Sequence, residues 1–506
     1  MTLSSHSGPS ALGAATGEAA HQPIARRRLI LAACMAASFM AAVEATIMAT
    51  AMPSIAASLG GFDLYAWAFS AYMLGQAATI PIYGRLADIH GRRRVFFAGA
   101  GLFLVGSLLC GLSQTMVQLV IFRAIQGLGA GGVQPIANTI VGDIYSPVER
   151  ARVQGLLSGV FGVSAIIGPS LGAFIVQYGE WPLVFWMNLP IGLVAIAMIA
   201  AFLPERAPTR PRHVDYQGSL LLLVAVAALM LLAMQGTTLD RTTLLLVAAI
   251  LVLSAGALAL HERRVAEPML PLELWRSRVI ASSGIGSLTT GLLMMGVTAY
   301  LPACVQGQMG YGPETSAIVL ALMSVVWVLG STTAGLWLPR SSYRGVATAG
   351  GLLLIAGAAM LVVMTPASGP AWAAIGAVLI GLGMGFCNTT YMISSQTAVA
   401  WHQRGAATSS VMFLRFLGQA LGAALFAAVV NASLARTPGG ADALGRLMDP
   451  ADRAALPGGE LVRLVDAAAG AMGHAYLLTG GLAVLALVVA LSYPAGLGPA
   501  GQALRR

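Results

Sequence analysis

Apolar stretches about twenty residues long recur along the whole chain, and a bilayer core about 30 Å thick accepts a helix of roughly that length. Fourteen are legible: 29–51, 64–83, 95–113, 116–140, 153–177, 183–203, 218–236, 242–261, 280–306, 315–337, 346–365, 371–395, 406–432 and 472–493. A water-soluble core has no use for so many, and 57% hydrophobic residues with only 9% charged lies well outside soluble composition. Membrane β-strands would instead alternate over about ten residues. The expectation is an all-α membrane protein whose stretches divide as six, two and six. Residues 1–28 read as a disordered cytoplasmic tail, 29–203 as a six-helix bundle and 204–279 as a linker with two additional helices. Residues 280–493 read as a second six-helix bundle carrying an extracytoplasmic loop at 433–471, and 494–506 as a second cytoplasmic tail.

Charge orients these helices. All 28 basic residues are arginine, against 19 acidic ones, for a net charge of +9. With the N-terminus inside, 21 arginines fall in the tails and cytoplasmic loops, and five (Arg241, Arg436, Arg446, Arg453 and Arg463) fall opposite. That asymmetry puts both termini in the cytoplasm. Spread over loops rather than gathered on one solvated face, the arginines do not make a nucleic-acid surface. Without lysine, neither a Walker phosphate loop nor a pyridoxal Schiff base can be built.

Other chemistry finds little purchase. Cys34, Cys110, Cys304 and Cys387 lie in apolar stretches without pair spacing, as small buried hydrophobes do. None of the seven histidines forms a metal-ligand pattern, and Tyr391, Ser394 and Ser395 make no triad with a histidine and an acid. The segment RRRLILAAC (26–34) is too short between Arg28 and Cys34 to be a signal-peptide core. No cofactor, metal or catalytic residue is expected.

The fourth stretch contains GLGAGG (Gly127 to Gly132) and the twelfth GLGMGF (Gly381 to Phe386). Small-residue faces in the fourth helix of each half point to an internal repeat, with two halves around a central cavity. GLGAGG also fits a dinucleotide fingerprint, but no strand precedes it, and close helix packing is the simpler use.

The segment after the second stretch, GRLADIHGRRR (84–94), combines turn-permitting Gly84 and Gly91 with Asp88 among Arg85, Arg92, Arg93 and Arg94. It resembles the loop signature of the major facilitator superfamily, and several further segments resemble that family's fourteen-helix drug:proton antiporter branch. VEATIMATAMPSI (43–55) is similar to the first-span signature, with Glu44 where Asp is usual. LVIFRAIQGLGAG (119–131) resembles the fourth-span motif through Arg123 and Gly127, and GVSAIIGPSLGA (162–173) the antiporter motif through Gly168, Pro169 and Gly172. EWPLVFWMNLPIG (180–192), VDYQGS (214–219), EPMLPLELWRSR (267–278) and YLPACVQGQMGYGP (300–313) resemble other signatures of the branch. The counterpart loop, GLWLPRSSYR (335–344), is degenerate. The resemblance implies proton-driven export of small, often lipophilic compounds across a bacterial inner membrane by a monomer, with Gly168 and Pro169 as a hinge or seal.

Glu44, Arg123 and Arg415 are the acids and bases deep in apolar stretches. Each costs about 2.5 to 3.5 kcal/mol at mid-bilayer even on a lenient scale. At about 1.5 Å of rise per residue, Glu44 and Arg123 reach nearly the same depth, so a pair is possible. Glu44 then either loads and discharges the coupling proton, or bolts two helices together through a permanent bridge. Candidate substrate contacts are Gln126, Gln134, Asn138, Met294, Met295, Tyr300, Gln306, Asn388, Tyr391 and Arg415, with core packing as the alternative for the aromatics and methionines. The expected partners are protons, a small molecule and membrane lipid. A narrow-cargo exporter of a siderophore, biosynthetic product or lipid competes with broad drug export, and a polytopic enzyme or receptor comes third.

Overall fold

The computed structural model describes residues 23–59, 64–204, 215–235, 239–265, 272–436, 446–447 and 450–494. Residues 1–22 and 495–506 of the predicted tails, the linker core 205–214, residues 266–271 and most of 437–449 lie outside them, whereas residues 24–28, expected in the disordered tail, form the first turn of α1. A helix occupies each predicted stretch. The first half comprises α1 (Ile24–Leu59), α2 (Tyr65–His90), α3 (Arg92–Gly111), α4 (Met116–Ile144), α5 (Pro147–Tyr178) and α6 (Asn188–Phe202). Then come α7 (Tyr216–Gln235) and α8 (Arg241–Glu262). The second half comprises α9 (Arg278–Ala303), α10 (Pro313–Trp337), α11 (Tyr343–Val362), α12 (Gly369–Thr397), α13 (Arg404–Leu434) and α14 (Gly458–Leu491). Residues 458–471, expected in a loop, form the first turns of α14.

Among the described residues, eleven helices are long and apolar enough to cross a membrane. The others are α2, α5 and α7, of which α5 and α7 contain the shorter apolar runs Val153–Ser164 and Tyr216–Leu232. All three pack between the halves, α2 against α4 and α13, α5 against α1 and α10, and α7 against α2 and α13.

Local signals set the helix ends. Gly91, at φ 91°, breaks α2 from α3 in a conformation that glycine adopts without steric cost. Ser146 and Glu149 close a capping box on α5, and Asp240 accepts hydrogen bonds from the amides of Thr242 and Thr243 to start α8.

The internal repeat holds in atomic detail. A Cβ at Gly131 would stand 2.6 Å from the Gln76 carbonyl oxygen of α2, and one at Gly385 2.5 Å from the Trp327 carbonyl oxygen of α10. Four residues earlier, Gly127 rests on Tyr72 and Gly381 on Met323. On the opposite face, Cβ atoms at Gly129 and Gly383 would stand 2.7 and 2.8 Å from the carbonyls of Gly99 and Gly350. Thus α2–α3–α4 and α10–α11–α12 are the same three-helix unit, closed by backbone approach through glycine. Replacing Gly131 or Gly385 by Leu is expected to lower stability by about 3 kcal/mol, the upper end for overpacking. Gly101→Ala, where nothing lies within 4 Å, should instead gain up to about 1 kcal/mol. Thermal melting of the solubilised variants checks both.

Candidate functional site

Glu44 is completely buried, and its hydrogen-bond partners come from two other helices of the first half. Arg123 Nη1 donates to Glu44 Oε1, and Asn188 Nδ2 on α6 donates to Oε2 at 2.6 Å. Arg123 and Gln126, three residues apart, share one face of α4, and Arg123 Nη1 also donates to Gln126 Oε1 at 2.8 Å. Gln126 Nε2 donates to Ser107 Oγ of α3 at 2.7 Å, and Asn188 Nδ2 approaches that hydroxyl at 3.4 Å, closing a ring. From α2, the Ala68 carbonyl accepts from Arg123 Nε at 3.0 Å, and the Tyr72 ring lies 4.3 Å from the guanidinium carbon. The guanidinium thus meets a carboxylate, an amide, a carbonyl and a π-face, which is how a buried ion pair offsets its desolvation.

The predicted pair is therefore made, and it sits inside the first half rather than on the seam between halves. Gln126, expected as a substrate contact, is consumed by the ring. Ser107 and Asn188 were not singled out from the sequence. Asn188 is nonetheless the lone hydroxyl or amide residue within 183–203, and Ser107 the one in the interior of 95–113, which ends on Ser113.

The motif at 84–94 forms a clasp between the halves. Asp88, beyond the second apolar stretch, accepts the Gly405 and Ala406 amides at 3.1 and 2.8 Å, at the N-terminus of α13, where the helix dipole favours an anion. Arg92 pairs with Asp88 at 2.7 Å and with Asp143 at 3.0 Å, donates to the Trp401 carbonyl at 2.9 Å and lies over the Trp401 ring. Arg404 reaches Asp143 at 3.3 Å. Gly84 allows this crossing, because a Cβ there would stand 2.7 Å from the Gly405 carbonyl oxygen. Arg93 takes no part; it donates to the Leu203 carbonyl within its own half.

Burial pushes the Asp88 carboxyl up to about 6, against the opposing pull of Arg92 and the two amides. A carboxyl whose value rises from about 4 when hydrated to about 6 in the clasp binds its proton more tightly there. The clasp is therefore expected to weaken as pH rises from about 4 to 6, with no further change from this group above that window. Hydrogen-exchange protection of the Gly405 and Ala406 amides should fall about tenfold to a hundredfold across it, and Asp88→Asn should flatten the profile.

The antiporter segment stays helical through Gly168, Pro169 and Gly172. Gly168 brings α5 against α1 at Thr46, two residues from Glu44, and Thr46 Oγ1 donates to the Ser164 carbonyl at 3.1 Å. Farther toward the N-terminus, Gly155 and Gly162 meet Thr332 and Val328 of α10, so the same helix lines the seam.

The remaining candidates separate. Gln134 and Asn388 occupy equivalent positions of the repeat, seven residues after Gly127 and Gly381, and each keeps a buried polar atom without a partner, Oε1 and Nδ2 respectively. Arg415 Nε is a third such atom. Asn138 lies on the seam, 3.8 Å from Met412 Sδ, with its carbonyl accepting from Gln396 at 3.3 Å. Met294 Sδ accepts from Gln419 at 3.3 Å, while Met295 is half-buried beside Gly422. Tyr300 packs on Phe426, and Gln306 donates to Ser316 Oγ at 2.7 Å in the π turn Cys304–Gln308 that extends α9. Tyr391, whose phenol oxygen is also a buried polar atom without a partner, takes the alternative given for the aromatics. It is fully buried within the second half, its ring stacked on Tyr493 and its phenol lodged where Gly286 leaves room, so it packs that half's interior.

The sequence pattern described as Major Facilitator Superfamily matches residues 34–423. Multidrug resistance protein 3 of Bacillus subtilis (strain 168) is 33% identical over 471 residues, covering 89% of this chain and 92% of that protein. Multidrug transporter protein MdtP of the same strain is 30% identical over 410 residues, covering 80% and 76%. Among solved structures, the human organic anion transporter MFSD10 (TETRAN) superimposes with a TM-score of 0.64 at 15% identity, across 93% of this chain and 100% of that one. At that identity the likeness concerns the fold.

Proposed function

Because this chain belongs to the major facilitator superfamily and so is a membrane transporter rather than an enzyme, we propose that it is a drug:proton antiporter. In this reading it exports small lipophilic compounds, cations among them, across a bacterial inner membrane. All fourteen helices cross the bilayer, both termini are cytoplasmic, the working unit is a monomer, and the proton is the coupling ion with no other cofactor.

The observation that carries the reading is the enclosed carboxylate. Protonating Glu44 removes the charge opposite Arg123 and leaves the guanidinium with Gln126, the Ala68 carbonyl and the Tyr72 ring. One proton thereby reweights contacts among α1, α2, α4 and α6. Gly168 sets α5 against α1 beside that point, and α5 in turn packs on α10 of the other half, so packing links the proton site to the seam. The Asp88 clasp holds the arginine-rich end shut, which supports assigning this conformation to the side-closed state from which cargo leaves outward. Each charge moved through 100 mV supplies about 2.3 kcal/mol, enough for roughly a fifty-fold cargo gradient. Gln134, Asn388 and Arg415, with their unpartnered polar atoms, are the substrate contacts this reading favours. The relatives named as multidrug proteins favour broad cargo over the alternative, a narrow-cargo exporter.

One observation favours a second reading of Glu44. Both carboxylate oxygens are satisfied inside one half, as in a permanent bolt. Efflux of a fluorescent lipophilic cation from vesicles under an imposed pH gradient, wild type against Glu44→Gln, separates the two.

A further inference from the structure

At the arginine-rich end, the first turn of α9, the first turn of α11 and the last residues of α14 enclose a groove of about 550 Å³. Arg278 and Arg344 stand on its walls, with the hydroxyls of Ser282 and Ser492 between them, 2.9 Å apart. Ile285 and Leu491 carry the groove toward the outer face of the bundle, where they are 47% and 44% exposed. No carboxylate lines it, and among the described residues neither guanidinium has an ion-pair or hydrogen-bond partner. Ser277 leaves the first amides of α9 without a side-chain cap, so that helix end adds its own positive potential.

We propose that this groove is a binding site for the phosphate headgroup of an anionic phospholipid of the cytoplasmic leaflet. Two guanidiniums and a pair of hydroxyls match a phosphodiester, which accepts bidentate and single hydrogen bonds but donates none. The exposed apolar wall at Ile285 and Leu491 continues the site along the helices, as acyl chains require and a free anion does not. A basic pocket between transmembrane helix ends has the chemistry of such lipid sites. By bridging α9, α11 and α14, the lipid would fasten the repeat unit α10–α11–α12 to the helices beside it.

The test uses the full-length chain in vesicles of phosphatidylcholine, alone or with one quarter phosphatidylglycerol, and counts phosphatidylglycerol retained on the protein after extraction by native mass spectrometry. The variants are Arg278→Gln/Arg344→Gln and, as a control for general surface charge, Arg263→Gln/Arg264→Gln at the exposed end of α8. The groove variant is expected to lose about 30-fold in phosphatidylglycerol affinity, corresponding to about 1 kcal/mol per arginine, while the control stays near wild type. Thermal melting in phosphatidylcholine alone should be the same for all three, which separates binding from misfolding. Equal retention by the groove variant, or an equal loss in the control, overturns the proposal. Displacement of the lipid by millimolar inorganic phosphate overturns it too, because the site would then be one for a free anion.

Discussion

In Glu44→Gln vesicles, a pH gradient should no longer accumulate cargo, and the roughly tenfold ratio that one proton supports per pH unit of gradient should fall to about one. The substitution keeps shape and volume. Its carbonyl still accepts from Arg123, and its amide meets Asn188 once that side chain turns its oxygen inward, so the ring reseals with neutral groups. What disappears is the ability to exchange a proton. Downhill exchange of cargo should therefore survive while gradient-driven export does not, and that split distinguishes lost coupling from lost folding. Unchanged gradient-driven export together with a lower melting point would assign Glu44 to the bolt alone.

Arg123→Ala should be the most destabilising single change at the site, by about 3 to 5 kcal/mol. It leaves the Glu44 carboxylate buried without a counter-charge and strips the hydrogen bonds that now reach Gln126 and the Ala68 carbonyl. Arg123→Lys should recover only part, since one ammonium cannot bond Glu44, Gln126 and Ala68 and also lie flat over Tyr72. The double variant Glu44→Gln/Arg123→Leu should be more stable than Arg123→Ala, because neutral groups in place of a buried pair cost less than half a pair. Melting midpoints of the purified proteins give the ranking. If the double variant melts below Arg123→Ala, something other than the balance of buried charge governs stability at this site.

These contrasts also explain which parts of the site the sequence disclosed. A carboxylate and a guanidinium in apolar stretches are expensive enough to stand out, and Glu44 and Arg123 were legible on that ground alone. Ser107 and Asn188 were not, because a neutral hydroxyl or amide costs little in a helix that can find it one partner. The loop GRLADIHGRRR was visible as a motif. That Asp88 would bond the backbone of α13, more than 300 residues away in sequence, was not written in its spacing.

Azimuth was the common difficulty. A soluble helix shows its buried face through an apolar stripe, but stretches such as 116–140 and 371–395 carry apolar residues on every side. Gln126 and Tyr391 therefore looked as suitable for the cavity as Gln134 and Asn388. Packing decided otherwise, placing Gln126 in the carboxylate ring and Tyr391 against Tyr493.

From the chain alone come the places of the helices along it, the small-residue repeat in α4 and α12 and the two charges buried in apolar stretches. Each follows from conditions that a bilayer imposes locally, on length and polarity. Which side of each helix meets which neighbour was settled only in the folded molecule, by glycine contacts between backbones and by hydrogen bonds that join α1, α3, α4 and α6 around Glu44. Lipid and protein interior are alike in polarity, so hydropathy cannot tell one face from another, and the fit of surfaces has to.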